Sequence, residues 1–325
     1  MADEARHLIT HGDADGLTAA YQVIMRRCPY EVHTAGKRQV DLVNIVASEI
    51  PKGADVVILD LSSKTNAHGL ETLLANGAKV EWIDHHTQVT NLETKVNALG
   101  IKVNARINED KDYCTSLIVN ELTKEKYVDW AIAGAFGDNK RKKAKELAKK
   151  HGISAYYLAQ LQEVGRLLNY NGFAIAVNPN EVLAEMLKHK SPKTFAYSEV
   201  FKKIEQQYAV DRTALANVKP VYDSERIVIY QLPDIPSSTA MLGDIANEKQ
   251  AGDKSKMYFV IAPDGEVPGK FVMSIRTSGN PLASDIAKLF ENGGGRADAA
   301  GANITGQANS SNYILRRLKD GGFGN

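Results

Sequence analysis

Three short apolar runs stop abruptly on acids or imidazoles, and this pattern admits few folds. Leu8-Ile9-Thr10 leads into His11-Gly12-Asp13-Ala14-Asp15-Gly16, Val56-Val57-Ile58-Leu59 into Asp60, and Val80-Glu81-Trp82-Ile83 into Asp84-His85-His86. A brief apolar run bounded by turn-formers reads as a strand buried on both faces. Glu31 to His33 reads as a further strand, and Leu17 to Arg27, Val40 to Glu49 and Gly69 to Ala75 carry helical spacing between the runs. Strands and helices alternating through short loops predict an α/β chain with a doubly wound parallel sheet at its amino-terminal end. Ligands bind outside the carboxyl ends of strands in such sheets, so three strand ends would deliver acids and imidazoles to one crevice.

Length and composition narrow the options. A chain of 325 residues exceeds one usual core and predicts two domains. No apolar stretch approaches the ~18 residues of a membrane span. The acidic start Met1-Ala2-Asp3-Glu4 is unlike a secretory signal, so a cytoplasmic protein is expected. Cys28 and Cys114 cannot build a disulfide framework or a cysteine zinc cluster, which leaves metal binding to His, Asp and Glu. A net charge of +1 argues against coating a long nucleic acid, and leaves room for a small anionic substrate.

Beyond Asp112 the pattern turns helical, with helices predicted over Thr115 to Leu122, Val128 to Phe136, Lys140 to Lys150, Ala155 to Asn169 and a mixed-charge stretch from Glu181 to Leu215. Strands return at Arg226 to Gln231, Lys256 to Ala262 and Phe271 to Arg276, with a turn at Pro263-Asp264-Gly265. A helix over Leu282 to Phe290 then leads into the run Gly293-Gly294-Gly295-Arg296, predicted as a loop whose backbone amides could approach a phosphate.

Residues two apart in extended chain point the same way, so His11, Asp13 and Asp15 are expected to converge. Carboxylates mixed with imidazoles favour a transition metal such as Mn²⁺ over Ca²⁺. With Asp60, Asp84, His85, His86 and Asp138 added, the inventory suits two cations of the kind that serve in-line attack on phosphorus. Lys140 and Arg141 begin a basic helix directly after Asp138, where they could meet substrate phosphates. Asn169-Tyr170-Asn171-Gly172 could set an aromatic ring beside a base.

In order and spacing, His11-Gly12-Asp13-Ala14-Asp15-Gly16, Leu59-Asp60, Asp84-His85-His86 and Gly137-Asp138 resemble the four motifs of the DHH phosphoesterase superfamily. The run from Gly293 to Gly301 resembles the signature of the DHH-associated domain that follows in RecJ-like and nanoRNase-type members. The resemblance implies a catalytic domain over 1–190, a helical linker over 191–220 and a smaller α/β substrate-binding domain over 221–325, with a cleft between domains. It further implies two Mn²⁺ ions, with Mg²⁺ or Co²⁺ as substitutes. His11, Asp13 and Asp60 would hold one, and Asp15, Asp60, His85 and Asp138 the other, so that Asp60 bridges. Asp84 would orient an imidazole, and His86 would act on the scissile phosphate. Gly293, Gly294, Gly295, Arg296, Arg276 and Thr115 would contact substrate. Where the family usually has Gly-Gly-Gly-His this chain has Arg296, which cannot shuttle protons near neutral pH but can anchor phosphate.

The expected activity is therefore a metal-dependent phosphodiesterase acting on short linear oligonucleotides or dinucleotides such as pGpG, without membrane contact and with room for a homodimer. The rivals are a single-strand RecJ-like exonuclease, a nucleotide phosphatase, and an inactive DHH-type binding module. The last class usually loses metal acids, and this chain keeps them all.

Overall fold

The computed structural model describes residues 6–27, 30–86, 104–264, 269–306 and 311–323. Met1 to Glu4 and Cys28 fall outside these, as does Gly265 of the expected turn. The chain divides into two compact units, Met1–Gln207 and Tyr208–Asn325, and the division falls within one helix, Glu199–Ala216.

Unit 1 is built on five parallel strands, β1 (His7–His11), β2 (Glu31–Ala35), β3 (Asp55–Leu59), β4 (Lys79–Asp84) and β5 (Asn104–Ile107). Their order is β2-β1-β3-β4-β5. The apolar runs form strands because both faces are covered. Ile9, Val56, Ile58, Val80 and Trp82 pack under α2 (Leu42–Val46) and α3 (Ala67–Ala75). Trp82 fits there with its indole N–H satisfied, donating to the Leu61 carbonyl at 2.8 Å. Each fully buried Leu or Ile side chain contributes about 1.5–3 kcal/mol relative to exposure.

The order of strands reverses between β1 and β3, because β2 lies outside β1 while β4 and β5 continue beyond β3. That switch point is where an open parallel sheet leaves a crevice at its carboxyl edge. α1 (Ala14–Arg27) starts immediately after β1, three residues earlier than its apolar spacing suggests. Asp13 explains the early start. Its carboxylate accepts from the Gly16 amide at 3.0 Å and caps the helix. Asp13 and Asp15 thus belong to a cap and a first helical turn, and not to the extended segment expected above.

The helical part of unit 1 comprises α4 (Thr115–Leu122), α5 (Val128–Gly137), α6 (Arg141–Lys150), α7 (Ala155–Ala174), α8 (Pro179–Met186), α9 (Pro192–Phe195) and α10 (Glu199–Ala216). α5 is buried from Trp130 to Phe136, as a helix apolar on all sides must be. It packs against α1, α4, α6 and α7. In α6 only Ala144 and Ala148 are buried, so its lysines line a solvated face. α7 runs on to Ala174, which puts Tyr170 on the covered side of the helix. There Tyr170 is buried, and Asn171 engages both backbone groups of Val177 with its amide. Tyr170 therefore cannot stack on a base as expected.

Unit 2 carries a six-stranded sheet in the order β10-β11-β9-β8-β7-β6. Its strands are β6 (Tyr222–Asp223), β7 (Ile227–Gln231), β8 (Met257–Pro263), β9 (Lys270–Arg276), β10 (Glu291–Gly295) and β11 (Ala299–Thr305). Only β7 and β8 pair in parallel, joined by the crossover helix α11 (Pro236–Gly252) that a parallel pair requires. α12 (Ala283–Ala287) and α13 (Ser311–Asp320) complete the core with Ile286, Ile314 and Leu318. Gly293 to Gly295 do not form the expected open loop. They lie in the edge strand β10, paired antiparallel with β11. Glycine is needed there for space: a Cβ on Gly293 would sit 1.7 Å from the Ala287 carbonyl oxygen, and one on Gly295 2.4 Å from Ala300 Cα.

Close approach also sets the position of Asp138 at the end of α5. A Cβ on Gly165 of α7 would lie 2.0 Å from the Ala133 carbonyl oxygen, and one on Gly137 would lie 2.2 Å from Ala14 Cβ. Backbone cannot yield as a flexible side chain can, so Gly165→Ala should push α7 off α5 and cost about 1–3 kcal/mol. A lowered urea midpoint together with weakened Mn²⁺ uptake is the expected result; unchanged stability would contradict the contact.

Candidate metal centre

The carboxyl edge at the β1/β3 switch point gathers Asp13, Asp15 and Asp60, and β4 adds Asp84, His85 and His86. Asp138 arrives from the carboxyl end of α5. The His85 Nε2 atom lies 3.4 Å from Asp60 Oδ1, 3.6 Å from Asp138 Oδ2 and 3.7 Å from Asp15 Oδ2. The other oxygen, Asp60 Oδ2, lies 3.9 Å from His11 Nδ1. Asp60 therefore turns one oxygen toward each of two donor groups. Ligand-grade atoms converge in three sets: His11, Asp13 and Asp60; Asp15, His85 and Asp138; Asp60, His85 and His86. The third set places His86 nearer ligand distance than its expected role on the phosphate implies.

Backbone strain marks the shared acid. Asp60 has φ 57°, in the left-handed region that non-glycine residues enter rarely and at a cost. This sharp turn at the end of β3 is what swings its carboxylate across the edge of the sheet. Asp15 is held differently. The first amides of α4 point at it, Thr115 N donating to Oδ2 and Ser116 N to Oδ1, both at 2.8 Å. The helix amino terminus therefore fixes a negative charge facing the site. Thr115, expected on the substrate side, is fully buried, and its hydroxyl donates to Asp60 Oδ1 at 3.2 Å.

Asp13, Asp15, Asp60 and Asp84 are each at most 2% exposed. Burial pushes Asp60 well above the ordinary carboxylate range, and the charges of Asp15, Asp13, Asp138 and Asp84 push it the same way. Asp138 is raised by burial and by Asp15. For Asp13 burial acts upward, but the charge and hydrogen bond of Lys37, with His11, more than offset it and hold the acid low. Burial lowers His11 to about 4, leaving the ring neutral and able to donate a lone pair. Asp84 accepts from His86 Nδ1 at 2.7 Å, which raises His86 against the effect of burial and fixes its proton toward Asp84.

Lys37 is absent from the residues expected above. It follows β2 and places Nζ 2.6 Å from Asp13 Oδ2 and 3.1 Å from Asn169 Oδ1. A signal for it exists, because the end of β2 is a fourth carboxyl edge at the same crevice. Lys140 Nζ lies 3.3 Å from Asp138 Oδ2, turned to the acid. Two lysines cannot balance five carboxylates in a buried setting, and among the described residues the buried atoms His11 Nε2 and Asp138 Oδ2 make no hydrogen bond. The donor set is what divalent cations of the manganese type require. The residues present fit such ions.

In unit 2, Arg276 ends β9 and pairs with Ala299, which places it at the same end of the sheet as Arg296. Arg276 is tied to Asn247, Ser274, the Ile275 carbonyl and the Gly243 carbonyl. The Arg296 side chain is 82% exposed and stands 4.0 Å from Asp298.

No protein-family model and no curated protein sequence matches the chain. Among solved structures, the exonuclease RecJ bound to manganese matches at 15% identity and TM-score 0.55, over 97% of this chain and 89% of that one. RecJ of Thermus thermophilus in complex with Mn²⁺ matches at 15% identity and TM-score 0.58, over 98% of this chain and 52% of that one. The chain thus spans about half the length of this RecJ. This chain shares the fold of these RecJ structures. A third solved structure, the pGpG-specific phosphodiesterase PggH of Vibrio cholerae, matches at 15% identity and TM-score 0.52, over 97% of this chain and 99% of that one.

The charge balance of the site has a consequence for pH dependence. An acid raised on folding stabilises while protonated, so metal-free protein should lose stability as pH rises from the ordinary carboxylate range through the raised values of Asp60 and Asp138. Mn²⁺ should reverse that loss and release protons on binding. Asp60→Asn, which keeps a residue type tolerant of positive φ, should raise the stability of the metal-free protein by roughly 0.5–2 kcal/mol and abolish paired metal uptake. Calorimetric melts and metal counting check this. A metal-free Asp60→Asn protein that melts lower than its parent would contradict the repulsion.

Proposed function

We propose that this DHH-fold chain is a two-metal phosphodiesterase that hydrolyses short linear oligonucleotides to mononucleotides, with 5′-phosphorylated dinucleotides such as pGpG as the preferred class. The observation that carries the reading is Asp60, whose two oxygens face His11 on one side and His85 on the other at the switch point of a parallel sheet. His11, Asp13 and Asp60 would hold one Mn²⁺, and Asp15, Asp60, His85 and Asp138 the second. Bound there, such ions supply Lewis-acid stabilisation of charge on phosphorus and a water nucleophile available at neutral pH.

The chain's own groups supply positioning and proton control. Asp84 orients the His86 ring and stabilises its charged form, so that this ring carries the proton that leaves with the departing oxygen. Thr115 and the α4 amides keep Asp60 and Asp15 in place while charge rearranges in front of them. On this reading Arg296 and Arg276 of unit 2 each contact a substrate phosphate, and substrates that carry a phosphate for them are favoured. The near-neutral net charge gives longer strands little additional attraction. Likeness of fold to PggH over almost all of that chain supports the choice of dinucleotides.

Chelation should abolish hydrolysis, with Mn²⁺ restoring it better than Ca²⁺. His86→Ala should lower kcat by about 10²–10⁴-fold with two ions still bound. Loss of an ion in that variant would instead make His86 a ligand. On labelled RNA and DNA from dinucleotides up to about twenty nucleotides, 5′-phosphorylated dinucleotides should give the highest kcat/KM, and Arg296→Ala should cut that value roughly 10–100-fold, the worth of a charged hydrogen bond. Equal rates at all lengths would sink the preference and favour an exonuclease.

A further inference from the structure

β1 carries a second imidazole at its other end. His7 opens the strand and His11 closes it, about 13 Å apart at the usual rise per residue. In the parallel register His7 pairs with Glu31 and Ile9 with His33, so all three polar side chains stand on the face covered by α2 and α3. The His7 Nδ1 atom lies 3.2 Å from His33 Nε2 and 3.8 Å from a Glu31 carboxylate oxygen. Their ligand atoms lie within 4.8 Å of one another, the bound that each set at the candidate metal centre also meets.

We propose that His7, His33 and Glu31 form a separate binding site for a single divalent transition-metal ion of the zinc type, at the amino-terminal edge of the first sheet. Two nitrogens bonded to one tetrahedral zinc at 2.0–2.1 Å lie roughly 3.3–3.4 Å apart, close to the observed separation. The donor set, two imidazoles and one carboxylate, is the borderline type that selects zinc, copper or nickel over magnesium or calcium. His7 is 2% exposed, and its other ring nitrogen makes no hydrogen bond among the described residues. Burial together with the neighbouring His7 lowers His33 below its ordinary value. Glu31 is 60% exposed, which leaves the remaining coordination positions open to water. The strand pairing fixes the donors in advance, and an ion there would clip the edge strand β2 to β1.

The site is independent of the catalytic reading and is tested apart from it. Full-length Asp13→Asn/Asp15→Asn/Asp60→Asn protein, in which all three ligand sets of the first centre are broken, should retain one equivalent by atomic absorption after stripping of metal and dialysis against zinc alone. Cobalt in its place should give the visible bands of a low-coordinate site. His33→Gln added to that background should remove the equivalent, and Glu31→Gln should weaken it. In metal-stripped wild-type protein, zinc should shift the ring resonances of His7 and His33, a readout that needs no variant to fold. Retention of zinc in the His33→Gln background, no zinc in the parent triple variant, or unshifted His7 and His33 resonances would each overturn the site and leave a simple N–H···N hydrogen bond. Failure of the catalytic-centre reading would show instead as missing equivalents in wild-type protein with this one intact.

Discussion

Mutual repulsion among buried carboxylates is the constraint on which unit 1 depends. Asp60 lies among Asp13, Asp15, Asp84 and Asp138, and burial first, then the charges of those neighbours, push its carboxyl well above the ordinary range. Taken out of water, unpaired charges of this kind cost several kcal/mol each. The surrounding structure can be understood as what holds the acids in place against that cost. The α4 amides bind Asp15, Thr115 binds Asp60, the Gly16 amide binds Asp13, and Lys37 supplies a positive charge that the fold always carries. A divalent ion would replace much of the remaining repulsion with attraction. Such a site loses intrinsic stability and gains affinity, as functional centres commonly do.

Close backbone packing makes the gathering geometrically possible. Asp138 comes from a helix and the other acids from the edge of a sheet, so α5 must approach both α1 and α7 nearly backbone to backbone. Gly134, Gly137 and Gly165 permit this, each at a point where a Cβ would collide. A bundle spaced by larger side chains would set Asp138 back from His85 by more than a metal bond can span. The small residues of Ala131-Ile132-Ala133-Gly134-Ala135 are thus a condition of the site, even though none of them touches it.

The parallel sheet and the acids at its edge are legible because strand ends carry their own signal, apolar residues giving way to polar ones. What the sequence conceals falls into three kinds. Asp13 reads as part of an extended segment because its capping bond to Gly16 depends on where α1 begins. Tyr170 looks free because Asn169, Asn171 and Gly172 resemble a helix stop, whereas α7 runs through them to Ala174 and Ile175 closes it in a left-handed conformation unusual for a β-branched residue. α11 escapes the reading although Pro236 in its first turn and buried Met241, Leu242, Ile245 and Ala246 follow helical spacing. The glycine run misleads for a physical reason, since glycine marks both loops and places where another backbone passes closely, and Gly293 beside Ala287 is the second case.

The two arginines of unit 2 differ in what they can offer a phosphate. A guanidinium has five N–H donors. In Arg276 the Nε–H goes to Asn247, both Nη1 hydrogens go to Ser274 and the Ile275 carbonyl, and one Nη2 hydrogen reaches the Gly243 carbonyl at 3.4 Å. Such a group contributes charge at a fixed point but has little capacity left for a two-pronged grip. Arg296 is exposed, 4.0 Å from the single acid Asp298, and retains its full fork. On the proposed reading, forked recognition of a phosphate therefore falls to Arg296, with Arg276 supplying a fixed field beside it. An arginine at that position cannot shuttle protons near neutral pH, so on this reading it anchors phosphate and proton transfer is left to His86, whose ring Asp84 already holds.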